Sequence, residues 1–386
     1  MSFRFFSLIF LVLAFFLSAE SASALEYVRF RHLGKERNEE GRVILEAPDG
    51  IAFESRDGQL YGITLRNLLT RRSDELPFTP YTKAEMLERL KEEFPASEGY
   101  DYMLQYGPFI VVYATSKPFA NWYGSLLEKL YKNYVPHWKR LGVELTEPQF
   151  PMVAVLLSSE ERFQQYGRQD EAFLIPGQCA YYNKLTNRIV MYDMSGLQVF
   201  QEGNRRPAAA SDIQRFLAHP QSNNNITAVV HEAVHQVGYN TGMHPRHVFA
   251  NPLWLCEGLA VLHEVPDPRN NLGWTLGPHI NTRRLEQLRR HLDNPQLVSP
   301  IQKMIQDDDL LRKQATALDN YALAWGVTYY LVKRRPKELA AYLTLLQTKT
   351  PLSDDDAEIR MSDFESCFGT DWDAFYRDFA AFVRRL

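Results

Sequence analysis

Cysteine is scarce: the 386-residue chain holds three, Cys179, Cys256 and Cys367, with no CxxC spacing. That excludes a disulfide framework and a four-cysteine or zinc-finger site, and it allows at most one disulfide. A charge imbalance is missing as well. Lys plus Arg number 43 and Asp plus Glu 47, a net charge of −4. This is too mild to argue for nucleic acid or an anionic membrane surface as partner. Basic pairs such as Arg71-Arg72 and Arg283-Arg284 are scattered, as on solvated faces. Beyond Leu25 no apolar run approaches the roughly 20 residues of a transmembrane helix. There is no internal repeat. Hydrophobic residues at 45% and charged residues at 23% are ordinary globular values, so disorder is excluded as a global description. At about 150 residues per domain the length allows two or three domains.

The first segment reads as an address. Arg4 supplies a short positive region, Phe5–Leu17 is apolar but for Ser7, and Ala22-Ser23-Ala24 places small residues at a cleavage site. Residues 1–24 are therefore expected to be a secretory signal peptide. No cysteine follows the apolar run, which argues against a lipoprotein anchor. The expectation is an exported chain, periplasmic or secreted, with no transmembrane segment after cleavage.

Residues 25–70 are expected to form a small β-unit of SH3-like type. Val43–Glu46, Ile51–Glu54 and Leu60–Thr64 are short apolar or alternating runs, and Pro48-Asp49-Gly50 and Asp57-Gly58 separate them as hairpin punctuation. It carries no recognisable chemistry; docking to an envelope partner and capping the fold are both open roles. Residues 71–83, with Pro77 and Pro80, read as a linker. Strand and helix then alternate: Phe109–Ala114 and Val153–Leu157 as strands, Phe119–Leu141 and Ser159–Tyr166 as helices, and Ala180–Asn183 with Arg188–Tyr192 as a hairpin. Residues 195–224 are polar and irregular. From Ile226 onward nearly everything reads as helix. Strands first and helices second give an α+β class, with residues 84–225 as an α/β part and 226–386 as a helical part.

One motif carries chemistry: His231-Glu232-Ala233-Val234-His235. It lies in an expected helix over Ile226–Asn240, with Asn225 as N-cap and Gly242 at its end. Residues four apart share a helix face, so both imidazoles point the same way, as two ligands of one Zn²⁺ must. Glu232 can lean toward a water on that metal and take its proton. A catalytic zinc takes three protein ligands. His244 and His247 are close in sequence but out of register with a histidine six residues past His235. Glu257 is the other candidate. Asn251-Pro252 reads as N-cap and first position of a helix over Leu253–Val265, stopped by Pro266. Gly258, just after Glu257, lowers helix propensity, which makes sense where a second helix must approach closely. Glu264 is seven residues past Glu257 and shares its face. His263 is assigned no role.

HEAVHQ followed by WLCEGLAVLHE resembles the gluzincin metallopeptidases, closest to the peptidase-MA-like group, and is similar to the zinc aminopeptidases that carry a WLNEGFA-type helix. The resemblance is specific over about residues 226–265, weaker over 105–195 and 319–386, and absent over 25–80. It implies one zinc per chain held by His231, His235 and Glu257, Glu232 as general base, and Glu264 orienting a ligand histidine. It implies a thermolysin-like domain over 84–386, in which an edge strand, Ala180–Asn183 or Arg188–Tyr192, pairs with the substrate backbone. Asn320-Tyr321-Ala322-Leu323-Ala324-Trp325 resembles the family segment bearing a tyrosine that faces the oxyanion, which nominates Tyr321. The Gly-x-Met-Glu-Asn segment of the aminopeptidases is missing; Gly177–Asn183 is the nearest stretch. The resemblance therefore implies an endopeptidase acting on peptides or proteins. The other reading is a non-catalytic binding protein that keeps the zinc fold.

Overall fold

The computed structural model describes residues 23–172, 174–196, 210–219, 222–248, 251–265, 279–292, 298–313 and 316–386. Residues 1–22 of the expected signal peptide, and Pro266, lie outside them. Five antiparallel strands form the first sheet: β1 (Ala24–His32), β2 (Lys35–Ala47), β3 (Gly50–Ser55), β4 (Leu60–Thr64) and β5 (Leu68–Pro77). Their order is β4-β3-β2-β1-β5. Alternation buries Val28, Phe30, Ile51, Phe53, Tyr61 and Ile63 in a core separate from the main one. The expected linker over 71–83 is corrected. Arg71, Arg72 and Ser73 pair with Val28, Tyr27 and Glu26 of β1, so strand continues to Pro77. That segment is too polar to announce itself as a strand; its pairing with β1 decides it.

After α1 (Lys83–Glu93) comes a second, mixed sheet. It contains β6 (Asp101–Met103), β7 (Phe109–Tyr113), β8 (Met152–Leu157), β9 (Ala180–Asn183) and β10 (Arg188–Tyr192), in the order β6-β7-β8-β10-β9. β7, β8 and β10 run parallel and are buried along their whole length, as strands covered on both faces must be. α2 (Lys117–Arg140) and α3 (Glu160–Gln169) make the crossovers. β9 hydrogen-bonds to β10 alone and is the edge strand. β10 is therefore internal, which removes Arg188–Tyr192 as a substrate-pairing edge.

Among the described residues every regular element after β10 is a helix. The helices are α4 (Ala210–Ala218), α5 (Ser222–Asn240), α6 (Leu253–Leu262), α7 (Thr282–Arg289), α8 (Val298–Gln306), α9 (Asp309–Arg312), α10 (Ala317–Arg334), α11 (Pro336–Gln347), α12 (Ala357–Phe368) and α13 (Trp372–Arg385). The molecule is α+β, with a β-rich N-terminal region and a helical C-terminal part. No described helix is long and apolar enough to cross a membrane. The three cysteines are free thiols.

Three helix ends differ from expectation. α4 occupies part of the stretch read as irregular. α5 starts at Ser222, so Asn225 is inside it rather than its cap. α6 stops at Leu262, and Asn251 does not cap it: its side chain donates to the carbonyls of Pro245 and Val248. The Leu253 N–H is satisfied instead by Asp308 Oδ1 at 3.1 Å. Gly242 follows α5 with a φ of +82°, the left-handed turn that glycine allows. Gly258 permits the close approach of α10. A Cβ there would lie 2.1 Å from Thr328 Oγ1 and 2.8 Å from the Ala324 carbonyl oxygen. Gly258→Ala should therefore lower stability by about 1–3 kcal/mol, overriding the gain of up to ~1 kcal/mol that alanine brings to a helix. Urea unfolding measures this; a raised midpoint would contradict the packing account.

Candidate metal centre

α5 is largely buried, with Ile226, Val229, Val230, Ala233, Val234 and Val237 in the core and Gln236 and Asn240 buried beside them. It is a core helix, so its polar side chains need partners. His231 and His235 lie one turn apart with their Nε2 atoms 3.1 Å from each other. Across from them α6 presents Glu257. Its Oε2 is 3.0 Å from His231 Nε2, and its Oε1 is 3.6 Å from His235 Nε2. Among the described residues this is the one grouping of three metal-capable side chains, with donor atoms all within 4.8 Å. Glu264 lies two residues past the end of α6. Its Oε1 is 2.9 Å from His231 Nδ1.

These contacts fix the tautomer of His231. A carboxylate only accepts, so Nδ1 donates to Glu264. In a neutral ring Nε2 then turns a lone pair toward the Glu257 oxygen and the second imidazole. A proton or a metal ion has to lie among these atoms. For metal–donor distances of 2.0–2.2 Å the edge of a tetrahedron is about 3.3–3.6 Å; the observed separations of 3.0, 3.1 and 3.6 Å lie within a few tenths of an ångström of that range. The donor set fits zinc. Electrostatics agree. Burial opposes charge on His231, yet the Glu257 and Glu264 carboxylates raise its pKa well above the ordinary value. Burial alone would push Glu257 up, but the rings of His235 and His231 hold its carboxyl well below the usual range.

Glu232 turns toward the sheet. Its Oε2 accepts the Tyr182 N–H of β9 at 2.8 Å. Burial raises its pKa, and the neighbouring His231 and His235 only partly counter this. A carboxyl shifted upward suits proton transfer near neutrality. On the other side, α10 brings Tyr321 to the cluster. Burial, then the Glu257 carboxylate it faces, then Glu232 push its pKa up, which keeps the hydroxyl a donor. The Arg284 guanidinium of α7 lies 5.8 Å from the centre of the Tyr321 ring.

His244 and His247 are not part of the cluster. His247 Nε2 is 2.9 Å from Glu54 Oε1 in the first sheet. His244 Nδ1 faces Cys256 Sγ at 3.6 Å, and burial pushes its pKa down to about 3. His263 is buried against Tyr134 and Trp138, with ring centroids 5.2 and 6.2 Å away. The residues that pin α5 escaped sequence reasoning. Gln236 Nε2 donates to the carbonyls of Val153 and Asn187 at 2.9 and 3.0 Å. Asn240 Nδ2 donates to Asn187 Oδ1 at 2.7 Å, and Asn187 Nδ2 donates back to Asn240 Oδ1 at 2.9 Å. The one signal in the chain was the i,i+4 spacing of Gln236 and Asn240, which puts two amides on one face of α5.

A family model described as "Protein of unknown function (DUF1570)" matches residues 225–353. The matched region runs from α5 to just past α11 and includes His231, His235, Glu257, Glu264 and Tyr321. No curated protein matches the chain.

Glu257→Ala should remove most zinc from a protein equilibrated with it. Glu264→Ala should weaken zinc affinity about 10–100-fold. His247→Ala should leave affinity near the wild-type value. Competition with a chromophoric chelator reads all three; zinc lost equally in His247→Ala would contradict the assignment.

Proposed function

We propose that this chain is an exported, zinc-dependent metallopeptidase of the gluzincin type that hydrolyses peptide bonds. One observation carries the reading: His231, His235 and Glu257 converge on one point, with Glu232 on the β9 side of it and Tyr321 on the α10 side. Three protein donors leave a fourth position open, as catalytic zinc sites do. Zinc held there would supply Lewis acidity, acidifying a water and polarising a carbonyl. Glu232 takes the water's proton and passes it to the leaving nitrogen. The Tyr321 hydroxyl donates to the oxyanion that forms as the carbonyl is attacked. Glu264, through His231 Nδ1, keeps the ligand ring in its tautomer and orientation.

The wider fold supports the same reading. A mixed sheet with β9 as its edge strand packs against the His231 helix, and helices follow it, which supports reading the domain as thermolysin-like. The β4-β3-β2-β1-β5 order of the first sheet supports reading it as a small SH3-like unit. An extended peptide pairing with β9 is read through its backbone, which favours an endopeptidase. That pairing has a constraint, because the Tyr182 N–H already serves Glu232, and the Ala180 carbonyl accepts from Gln178 Nε2 at 3.0 Å.

Glu232→Ala should abolish peptide cleavage, a loss of about 10²-fold or more, with zinc retained. Tyr321→Phe should cut kcat about 10²-fold, also with zinc retained. A peptide library with mass-spectrometric readout serves both. Undiminished cleavage in Glu232→Ala would sink the mechanism. Zinc bound without cleavage of any peptide by the wild type would move the reading to a non-catalytic binding protein.

A further inference from the structure

The first sheet meets the metal centre's surroundings at the turn between β9 and β10 and at the loop after α5. The Leu60 N–H, at the start of β4, donates to the Leu185 carbonyl at 2.7 Å. Arg246, from the loop after α5 and only 8% exposed, bridges both sides. Its Nη2 donates to the carbonyls of Gly58 and Lys184 at 2.6 and 3.3 Å, and its Nη1 to Glu54 Oε1 at 3.3 Å. Glu54 is 1% exposed and also receives Arg42 Nε at 2.9 Å. Burial would push the Glu54 carboxyl up, but His247, Arg246 and Arg42 hold it below its ordinary value, so it stays ionised. The same hairpin is tied to α5 by the Tyr182 N–H on Glu232 and by the Asn187–Asn240 pair. β9, the outer strand of this hairpin, is a short edge strand, with four residues paired to β10 alone. Short edge elements of this kind open locally unless something holds them.

We propose that the first sheet is a positioning element of the metal centre. Arg246 and Glu54 are its positioning residues, holding the β9–β10 hairpin where the Tyr182 N–H meets Glu232. The consequence for catalysis rests on the peptidase reading; the clamp itself does not. If β9 shifts by one residue, side chains change face and the N–H that steadies Glu232 is lost. The sheet thus acts on the general base from a distance, without touching metal or substrate.

The test is hydrogen exchange by mass spectrometry on the zinc-loaded full chain, for wild type, Arg246→Ala, Glu54→Gln and Arg246→Lys. Glu54→Gln keeps the shape of the buried side chain and serves where Arg246→Ala folds poorly. In Arg246→Ala and Glu54→Gln, peptides spanning β9 and the turn after it should exchange about tenfold faster, with β7 and β8 unchanged and zinc content at the wild-type level. Against a cleavable peptide, kcat should fall about tenfold with little change in KM. Arg246→Lys keeps one donor and should restore part of both effects. Unchanged exchange in the hairpin, or loosening spread equally over β7 and β8, would overturn the proposal. Wild-type turnover separately decides the peptidase reading, so the two failures are distinguishable.

Discussion

The buried contact between α5 and α6 brings two carboxylates, Glu257 and Glu264, against the ring of His231, with His235 and Glu232 beside them. Carboxylates in a poorly solvated place need a positive partner. The two carboxylates thus stabilise a positive charge among these atoms, carried either by a proton on His231 or by a metal ion. The arrangement of the helical half follows from this requirement. Gly258 lets α10 close on α6 next to Glu257, and the same helix carries Tyr321. Glu264 reaches back to His231 from beyond the end of α6.

Holding such a cluster takes rigidity on the far side of α5. Gln236 and Asn240 provide it by bonding to β8 and to the β9–β10 turn, so the helix that bears the histidines cannot rotate without breaking buried hydrogen bonds. Glu232, half-buried, faces this anchored sheet. The first sheet then grips the same turn through Arg246 and Glu54. α5, the loop after it and the first sheet thus converge on a hairpin whose outer strand pairs with β10 alone.

Much of the centre was readable from the chain because helical spacing is a strong constraint. Histidines four apart must share a face, and a glutamate followed by glycine in an apolar helix marks a close helix contact. What escaped is what tertiary structure decides. Ser222-Asn223-Asn224-Asn225 are all good cap formers, so local sequence could not say which of them starts α5. Asn251 lost the capping role because Asp308, far along the chain, satisfies the first N–H of α6. β5 is polar and became a strand because β1 offered a partner edge. His244 and His247 looked like rival ligands until Cys256 and Glu54 were seen to occupy them.

The central claim is that two imidazoles and one carboxylate, with no sulfur, form a zinc site. Cys256 adjoins Glu257, and burial pushes its thiol up to about 12, so it stays protonated and a poor ligand. X-ray absorption at the zinc edge on the purified chain tests this directly. The account predicts about one zinc per chain, with nitrogen and oxygen neighbours at about 2.0–2.2 Å and two imidazole signatures. A sulfur shell near ~2.3 Å, or no zinc retained after equilibration, would contradict it.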